Sequence, residues 1–295
     1  MSFVSNFFSI AGITVQVNLD TAIVGKRNYS RKFIPFQVNA PTLEHIILNH
    51  HFFLPELTGI NLGELVYRTP PWSIYKNQNG WIYIGIATEP NDPTLHRVVF
   101  FNHDHTNGHI YNPVEDIYFQ GDFQSLSFFP TDQIWLARVL ADRQGCYLHA
   151  AGIILEGQGL LFVGHSGAGK STIANVLQDE GEILCDDRMI VRRWPDGFRI
   201  HGTWSHGDVP VVSPNSAPLR AILLLEQAPH NQLIPVTNRR EIVRTLPFFI
   251  VKPLVTADWW EKTLDLVGQM AREVPFYRLQ FDMSYGLVQT LKTLN

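Results

Sequence analysis

The chain has 295 residues, 45% hydrophobic and 17% charged, with a net charge of −4 and a pI near 6.3. That length suits one large or two medium domains with ample core-forming residues, and the weakly acidic balance argues against a nucleic-acid-binding surface. No apolar run reaches the roughly 18 residues of a membrane span. The opening MSFVSNFFSIAG lacks a basic start and a sustained apolar core, so no secretory signal is read and a cytoplasmic setting is expected. Cys146 and Cys185 each sit in an apolar, strand-like stretch and read as buried free thiols.

In chain order, the first 125 or so residues read as β-rich. Ile13–Asn18 alternates, and Pro71–Lys76 and Trp81–Ile86 flank Asn79-Gly80, a strong hairpin signal. Arg97–Asn102 and His109–Tyr111 bracket His103-Asp104-His105-Thr106-Asn107-Gly108. The spacing of His103, Asp104, His105 and His109 resembles a metal-ligand set, but their place between two strands reads better as a hairpin turn. A meander of antiparallel strands is expected here. The character changes near Phe129-Pro130, which divides the chain into a β-rich N-terminal domain over 1–128 and a second domain over 129–295.

Thr131-Asp132 can cap a helix through QIWLARVLADRQG, closed by Gly145. A strand CYLHAAGIILEG follows, then a turn at Gly157–Gly159, then the apolar strand Leu160–Val163. That second strand runs into Gly164-His165-Ser166-Gly167-Ala168-Gly169-Lys170-Ser171-Thr172, a Walker A phosphate-binding loop. Its glycines let the backbone turn so that successive N–H groups face phosphate oxygens. Lys170 supplies a point charge and the Ser171 hydroxyl is placed to ligand Mg²⁺. The helix STIANVLQDEG adds its dipole to the anion site. Nucleotide or polyphosphate binding is expected, and a hairpin leading into such a loop is unusual among doubly wound folds.

Glu182–Cys185 reads as a strand ending at Asp186 and Asp187, only 16 and 17 residues after Lys170. A phosphotransfer site needs one carboxylate for Mg²⁺ and a base beside the accepting hydroxyl, and two adjacent carboxylates can divide those jobs. Met189–Arg193 reads as a strand, Pro195–Pro218 as a polar stretch, and Ala221–Glu226 as a buried strand. Within the polar stretch, His201, Thr203, Trp204, His206 and Asp208 can cover an acceptor or form an ordinary surface loop. Arg239 and Arg240 read as a solvated helix start, with a transition-state cation as the alternative. Asp258 and Glu261 resemble a capping box opening the helix that contains Trp259 and Trp260, which read as anchors of the core or of an interface. A last strand is expected at Pro275–Phe281 and a closing helix at Tyr285–Leu294.

LHAAGIIL, GHSGAGKST, a short helix, a glycine and then ILCDD together resemble the HPr kinase/phosphorylase family and its relatives. Those relatives include the kinases of lasso-peptide clusters and related small-molecule serine kinases. The resemblance covers about residues 130–295. It implies a phosphoenolpyruvate-carboxykinase-like α/β fold of α+β character, with a mixed sheet. By that resemblance Gly164, Ser166, Gly167, Gly169, Lys170 and Ser171 match the phosphate loop. Asp186 matches the acid/base carboxylate, and Asp187 its neighbour at the metal with Ser171. His149 matches the family histidine, with a satisfied core histidine as the equal alternative.

His165 stands where the HPr kinases carry an acidic residue, and their R-G-x-G-I-I-N-V run is absent. Both departures argue against HPr as acceptor and against phosphorolysis. The expected function is an ATP- and Mg²⁺-dependent kinase acting on a hydroxyl-bearing peptide, protein or small molecule. A nucleotide-driven switch and a catalytically silent binding module are the alternatives. The oligomeric state stays open, a homo-oligomer included.

Overall fold

Residues 3–20, 29–70, 72–85, 97–113, 123–127, 131–252, 256–282 and 286–294 are described by a computed structural model of the chain. They fall into two compact units, one reaching to Val139 and the other starting at Leu140. The expected boundary at 128/129, with Phe129-Pro130, lies outside the described residues, as do Pro71, Ile86 and Tyr285 at the ends of expected elements.

Alternating apolar residues draw the first unit into one sheet. Its strands are β1 (Phe3–Ile10), β2 (Ile13–Asp20), β3 (Gln37–Val38), β4 (His45–His51), β5 (Glu64–Thr69), β6 (Trp72–Asn77), β7 (Gly80–Gly85), β8 (Arg97–Phe101) and β9 (Asn107–Tyr111). Their spatial order is β3-β1-β2-β4-β9-β8-β7-β6-β5. The expected antiparallel meander holds from β5 through β9, but β4 runs parallel to both β2 and β9. The β6–β7 turn falls on Gln78-Asn79, one residue earlier than expected, with Asn77 paired to Gly80. Asn77 Oδ1 accepts from the Asn79 N–H at 2.8 Å, an Asx turn that stabilises this register.

Helix α1 (Gln133–Ala141) ends the first unit and runs two residues into the second, which starts at Leu140. Thr131 Oγ1 accepts from the Gln133 N–H at 3.2 Å, as a cap should. The left-handed residue after the helix is Gln144 rather than Gly145, which instead opens β10 (Gly145–Leu155). A Glu156-Gly157 turn, both at positive φ, joins β10 to β11 (Gln158–Val163), a hairpin immediately ahead of the glycine-rich loop as expected. After α2 (Lys170–Leu177) come β12 (Glu182–Cys185), β13 (Arg188–Trp194) and β14 (Gly197–His201). Next are β15 (Ser216–Gln227), β16 (Gln232–Pro235), α3 (Arg239–Thr245), a 3-10 turn (Leu246–Phe249) and α4 (Ala257–Glu273). The unit ends with β17 (Phe276–Phe281) and α5 (Gly286–Lys292). Strand β14 occupies part of the stretch read as polar loop.

This eight-stranded sheet is mixed: β15 runs parallel to β11 and to β17, while the neighbours of β10 are antiparallel to it. The long strands β10 and β15 each pair with different partners along their lengths. Strand β11 is buried on both faces, which explains its unbroken apolar run. Leu161 and Val163 join a core with Trp259, Leu266 and Met270 of α4, whereas Leu160 and Phe162 join one with Ile173, Leu177, Leu287 and Leu291. Burying each such side chain stabilises by about 1.5–3 kcal/mol, so the strand that delivers the loop is held from two sides.

Trp259 is a core anchor, edge-on to Trp260 at 5.1 Å, as expected. Asp258 lies inside the first turn of α4 rather than capping it, bridged to Lys262 at 3.2 Å. Both cysteines are buried free thiols, and burial pushes the Cys146 thiol up to about 12. Among the described residues no helix is long and apolar enough to cross a membrane.

Candidate functional site

The loop leaves β11 at Val163 and delivers Lys170 as the first residue of α2. Gly167 and Gly169 stand at φ +79° and +103°, which only glycine adopts without strain. Gly169 is doubly constrained, because a Cβ there would come within 2.7 Å of the Phe281 ring. Lys170 is buried, and its Nζ donates to the carbonyls of Gly164 at 2.9 Å and His165 at 3.0 Å. The ammonium is thereby parked inside the concavity of the loop. Burial lowers its pKa and nearby Arg188 adds to this, opposed by Asp187 and Asp186.

The two carboxylates after β12 meet different partners. Asp186 is buried, accepting from Ser171 Oγ at 2.9 Å, the Gly207 N–H at 2.7 Å and the Val209 N–H at 3.0 Å. Asp187 is 27% exposed and sits 2.7 Å from His149 Nε2 and 2.6 Å from Arg188 Nη1. His149 reaches it because the β10–β13 register pairs His149 with Arg188. Burial lowers the His149 pKa, with Lys170 and Arg188 adding to this and Asp187 opposing. His149 Nε2 faces the Asp187 carboxylate directly.

Ser166, Gly167, Gly169, Lys170, Ser171, Thr172, Asp186, Asp187 and His149 line one cleft of about 400 Å³, a size typical of small-molecule sites. The side chains of His165 and Ala168 do not join it: they face a separate pocket across the loop, where the His165 ring lies 4.9 Å from Phe249. Gly164 also lines that pocket and contributes its carbonyl to Lys170.

Sequence reasoning missed Gln227, whose amide donates to the Gly167 carbonyl at 3.1 Å, and the backbone N–H groups of Gly207 and Val209. The polar stretch itself was the only signal for the last two. Its other members separate: Asp208 lines the cleft, His206 is exposed, and Thr203 and Trp204 are buried. His201 is buried against Trp194 Nε1 at 3.1 Å, and its pKa falls to about 3 through burial, then Arg192 and Arg199.

The Ser171 hydroxyl and the two carboxylates form a set of hard oxygen donors at the mouth of the loop, which fits Mg²⁺ rather than a soft metal. Arg239 and Arg240 are exposed at the start of α3, capped by Asn238, in keeping with a solvated helix start. Among the described residues no cluster of three or more His, Cys, Asp or Glu has a metal-site arrangement. His103, Asp104 and His105 make a turn instead: Asp104 Oδ1 accepts from Thr106, and His105 is buried against Tyr83 Oη at 2.8 Å.

The family described as "SynChlorMet cassette protein ScmC" matches residues 132–292, more than half of the chain. Among solved structures, the Hpr(Ser) kinase/phosphatase from Coxiella burnetii is similar at 11% identity. The similarity covers 50% of this chain and 87% of that one, with a TM-score of 0.31. No curated protein matches the chain.

Proposed function

The chain belongs to the SynChlorMet cassette protein ScmC family, and we propose that its C-terminal unit is an ATP-dependent kinase. It moves a γ-phosphoryl group to a hydroxyl, serine or a serine-like alcohol, on a peptide, protein or small molecule in the cytoplasm. The observation that carries this reading is the pair of contacts Ser171–Asp186 and Asp187–His149, which brings a glycine-rich loop, a lysine and two differently placed carboxylates to one cleft.

In this reading the loop N–H groups and Lys170 hold the β- and γ-phosphates, with Lys170 exchanging its carbonyl partners for phosphate oxygens. Mg²⁺, when bound by Ser171 and Asp186, supplies charge neutralisation at those phosphates. Asp187 takes the proton of the acceptor hydroxyl as its oxygen bonds to the γ-phosphorus and the bond to the β-phosphate breaks, releasing ADP. His149 and Arg188 orient that carboxylate. These two carboxylate roles are exchanged relative to the expectation from resemblance. The exchange is supported by Asp186 already facing Ser171 and two N–H groups, while Asp187 is the more accessible of the two.

Incubating the full chain with γ-labelled Mg²⁺-ATP and a panel of serine peptides and small alcohols tests the activity. Label must move to an acceptor, and release of free phosphate alone sinks the kinase reading in favour of a nucleotide-driven switch. Asp187→Asn should lose transfer by about 10²–10⁴-fold while still binding nucleotide, whereas Asp186→Asn should lose the Mg²⁺ dependence of binding. The reverse pattern would restore the roles implied by resemblance.

A further inference from the structure

Besides His149, the charged side chains lining the cleft are Lys170, Asp186, Asp187 and Asp208. The protein itself engages all of these but the last. Lys170 Nζ is held by the carbonyls of Gly164 and His165, and Asp186 by Ser171 and the N–H groups of Gly207 and Val209. Asp187 is held by His149 and Arg188. The Asp208 carboxylate is exposed and has no hydrogen bond or ion pair among the described residues.

An exposed carboxylate is ordinarily a solvated surface charge, but the backbone beneath this one is fixed. The residues on either side of Asp208 both donate their N–H to the buried Asp186 carboxylate, at 2.7 Å from Gly207 and 3.0 Å from Val209. Gly207 approaches the acidic pair so closely that a Cβ there would come within 3.0 Å of Asp186 Oδ2 and of the Asp187 Cβ. Val209 packs against the core that contains Ile173 and Leu287. The turn therefore carries Asp208 beside Asp187, on the reacting side of the cleft, and a backbone already in place lowers the cost of ordering it around a ligand. Among the described residues no three His, Cys, Asp or Glu are arranged for a metal, so Asp208 does not join Asp186 and Asp187 as a third ligand. A carboxylate accepts hydrogen bonds and pairs best with a charged donor. The phosphates of a nucleotide repel it, which leaves the acceptor as the ligand able to supply that donor.

We infer that Asp208 selects the acceptor by charge: the hydroxyl that reaches Asp187 belongs to a molecule carrying an ammonium or guanidinium group close by, which Asp208 receives. The acceptor class is thus a basic serine peptide or an amino alcohol, in preference to a neutral or acidic one. The inference rests on the reading of the cleft as a kinase site, with Asp187 at the acceptor hydroxyl.

Rates of transfer from Mg²⁺-ATP by the full chain to two charge series test this. One series is serine peptides flanked by arginine, alanine or glutamate; the other is ethanolamine, ethylene glycol and glycolate. For the wild type, kcat/KM should fall from cationic to neutral to anionic acceptor by about two- to fivefold per step, the worth of a partly exposed ion pair. Asp208→Asn should flatten that order through KM while nucleotide affinity and Mg²⁺ dependence are retained, and Asp208→Lys should reverse it. A wild type that transfers label without charge preference overturns the proposal and leaves the kinase reading standing, as does a cationic preference that survives in Asp208→Lys. An Asp208→Asn variant whose Mg²⁺ dependence shifts instead makes Asp208 a metal ligand, which also overturns it. Label on no acceptor of either series refutes both the proposal and the kinase reading.

Discussion

The N-terminal unit and the C-terminal unit both bury polar side chains within β-rich cores, and they put them to different uses. In the first, polar groups satisfy one another along the sheet. Gln16, Asn18, Asn49 and Asn107 form an amide ladder across β2, β4 and β9, with contacts of 2.7, 2.8 and 3.1 Å. His50 is enclosed between the Leu126 carbonyl at 2.9 Å and Asn112 at 3.3 Å. Asp132 accepts from the N–H groups of Leu126 and Ser127, the Ser127 hydroxyl and the Trp135 indole. In the second unit, Lys170, Asp186, Asp187, His149 and Ser171 converge instead on a cleft open to solvent. A closed network contributes to stability, whereas an open one keeps groups available for a ligand at some cost in stability.

That contrast can be broken by asking which variants lose activity and which lose stability. The largest effect belongs to the cleft: Ser171→Ala should reduce phosphoryl transfer by about 10²-fold or more, while urea unfolding shifts by no more than about 1 kcal/mol. A Ser171→Ala protein that unfolds as a consequence would mean the cleft is structural after all. Next is Asp132→Ala in the N-terminal unit, which strands several buried donors and should cost about 3 kcal/mol in urea unfolding, with nucleotide affinity unchanged in protein that remains folded.

Acid sharpens the comparison, because each unit encloses one strongly shifted histidine. Burial, opposed by the Leu126 carbonyl contact, lowers the His50 pKa to about 3, and burial likewise brings His201 to about 3. Between pH 6.5 and about 3 the unfolded chain takes up protons that the folded chain refuses. Stability is therefore present in full above pH 6.5 and lost as pH falls towards 3, by up to about 1.4 kcal/mol per pH unit for each histidine. Urea melts across pH 7.5 to 4 should show this slope, and His50→Gln should reduce it. The smallest effect is Asn49→Ala, which removes the half-buried middle of the amide ladder, with its contacts to Asn18 and Asn107, and should cost about 1 kcal/mol with no change in transfer.

Much of the second unit is legible in its sequence. The hairpin into the loop, the loop with its helix, and the strand ending in Asp186-Asp187 are all encoded by contiguous residues with strong local preferences. Strand β14 was hidden because Gly197–His201 is short and mixes charged and apolar residues, and β16 because Gln232–Pro235 has only four residues. Turn positions slipped by one residue where side chains outside the turn pair decided the register, as Asn77 does at Gln78-Asn79. The parallel placement of β4 between β2 and β9 depends on partners distant along the chain, which no local pattern reports.

By itself the sequence determined the loop: positive φ at Gly167 and Gly169, the ammonium of Lys170 and the hydroxyl of Ser171 follow from residue type at fixed spacing. Tertiary structure alone decided which carboxylate meets which partner. Ser171 finds Asp186 only because β12 is docked against β10 beside the loop, and Asp186 finds its two N–H donors at Gly207 and Val209 through a return from β14. His149 finds Asp187 only through the β10–β13 register. Adjacent aspartates are chemically equivalent in a sequence. They become different when strand pairing turns one inward, onto the loop, and leaves the other beside a histidine at the edge of the cleft.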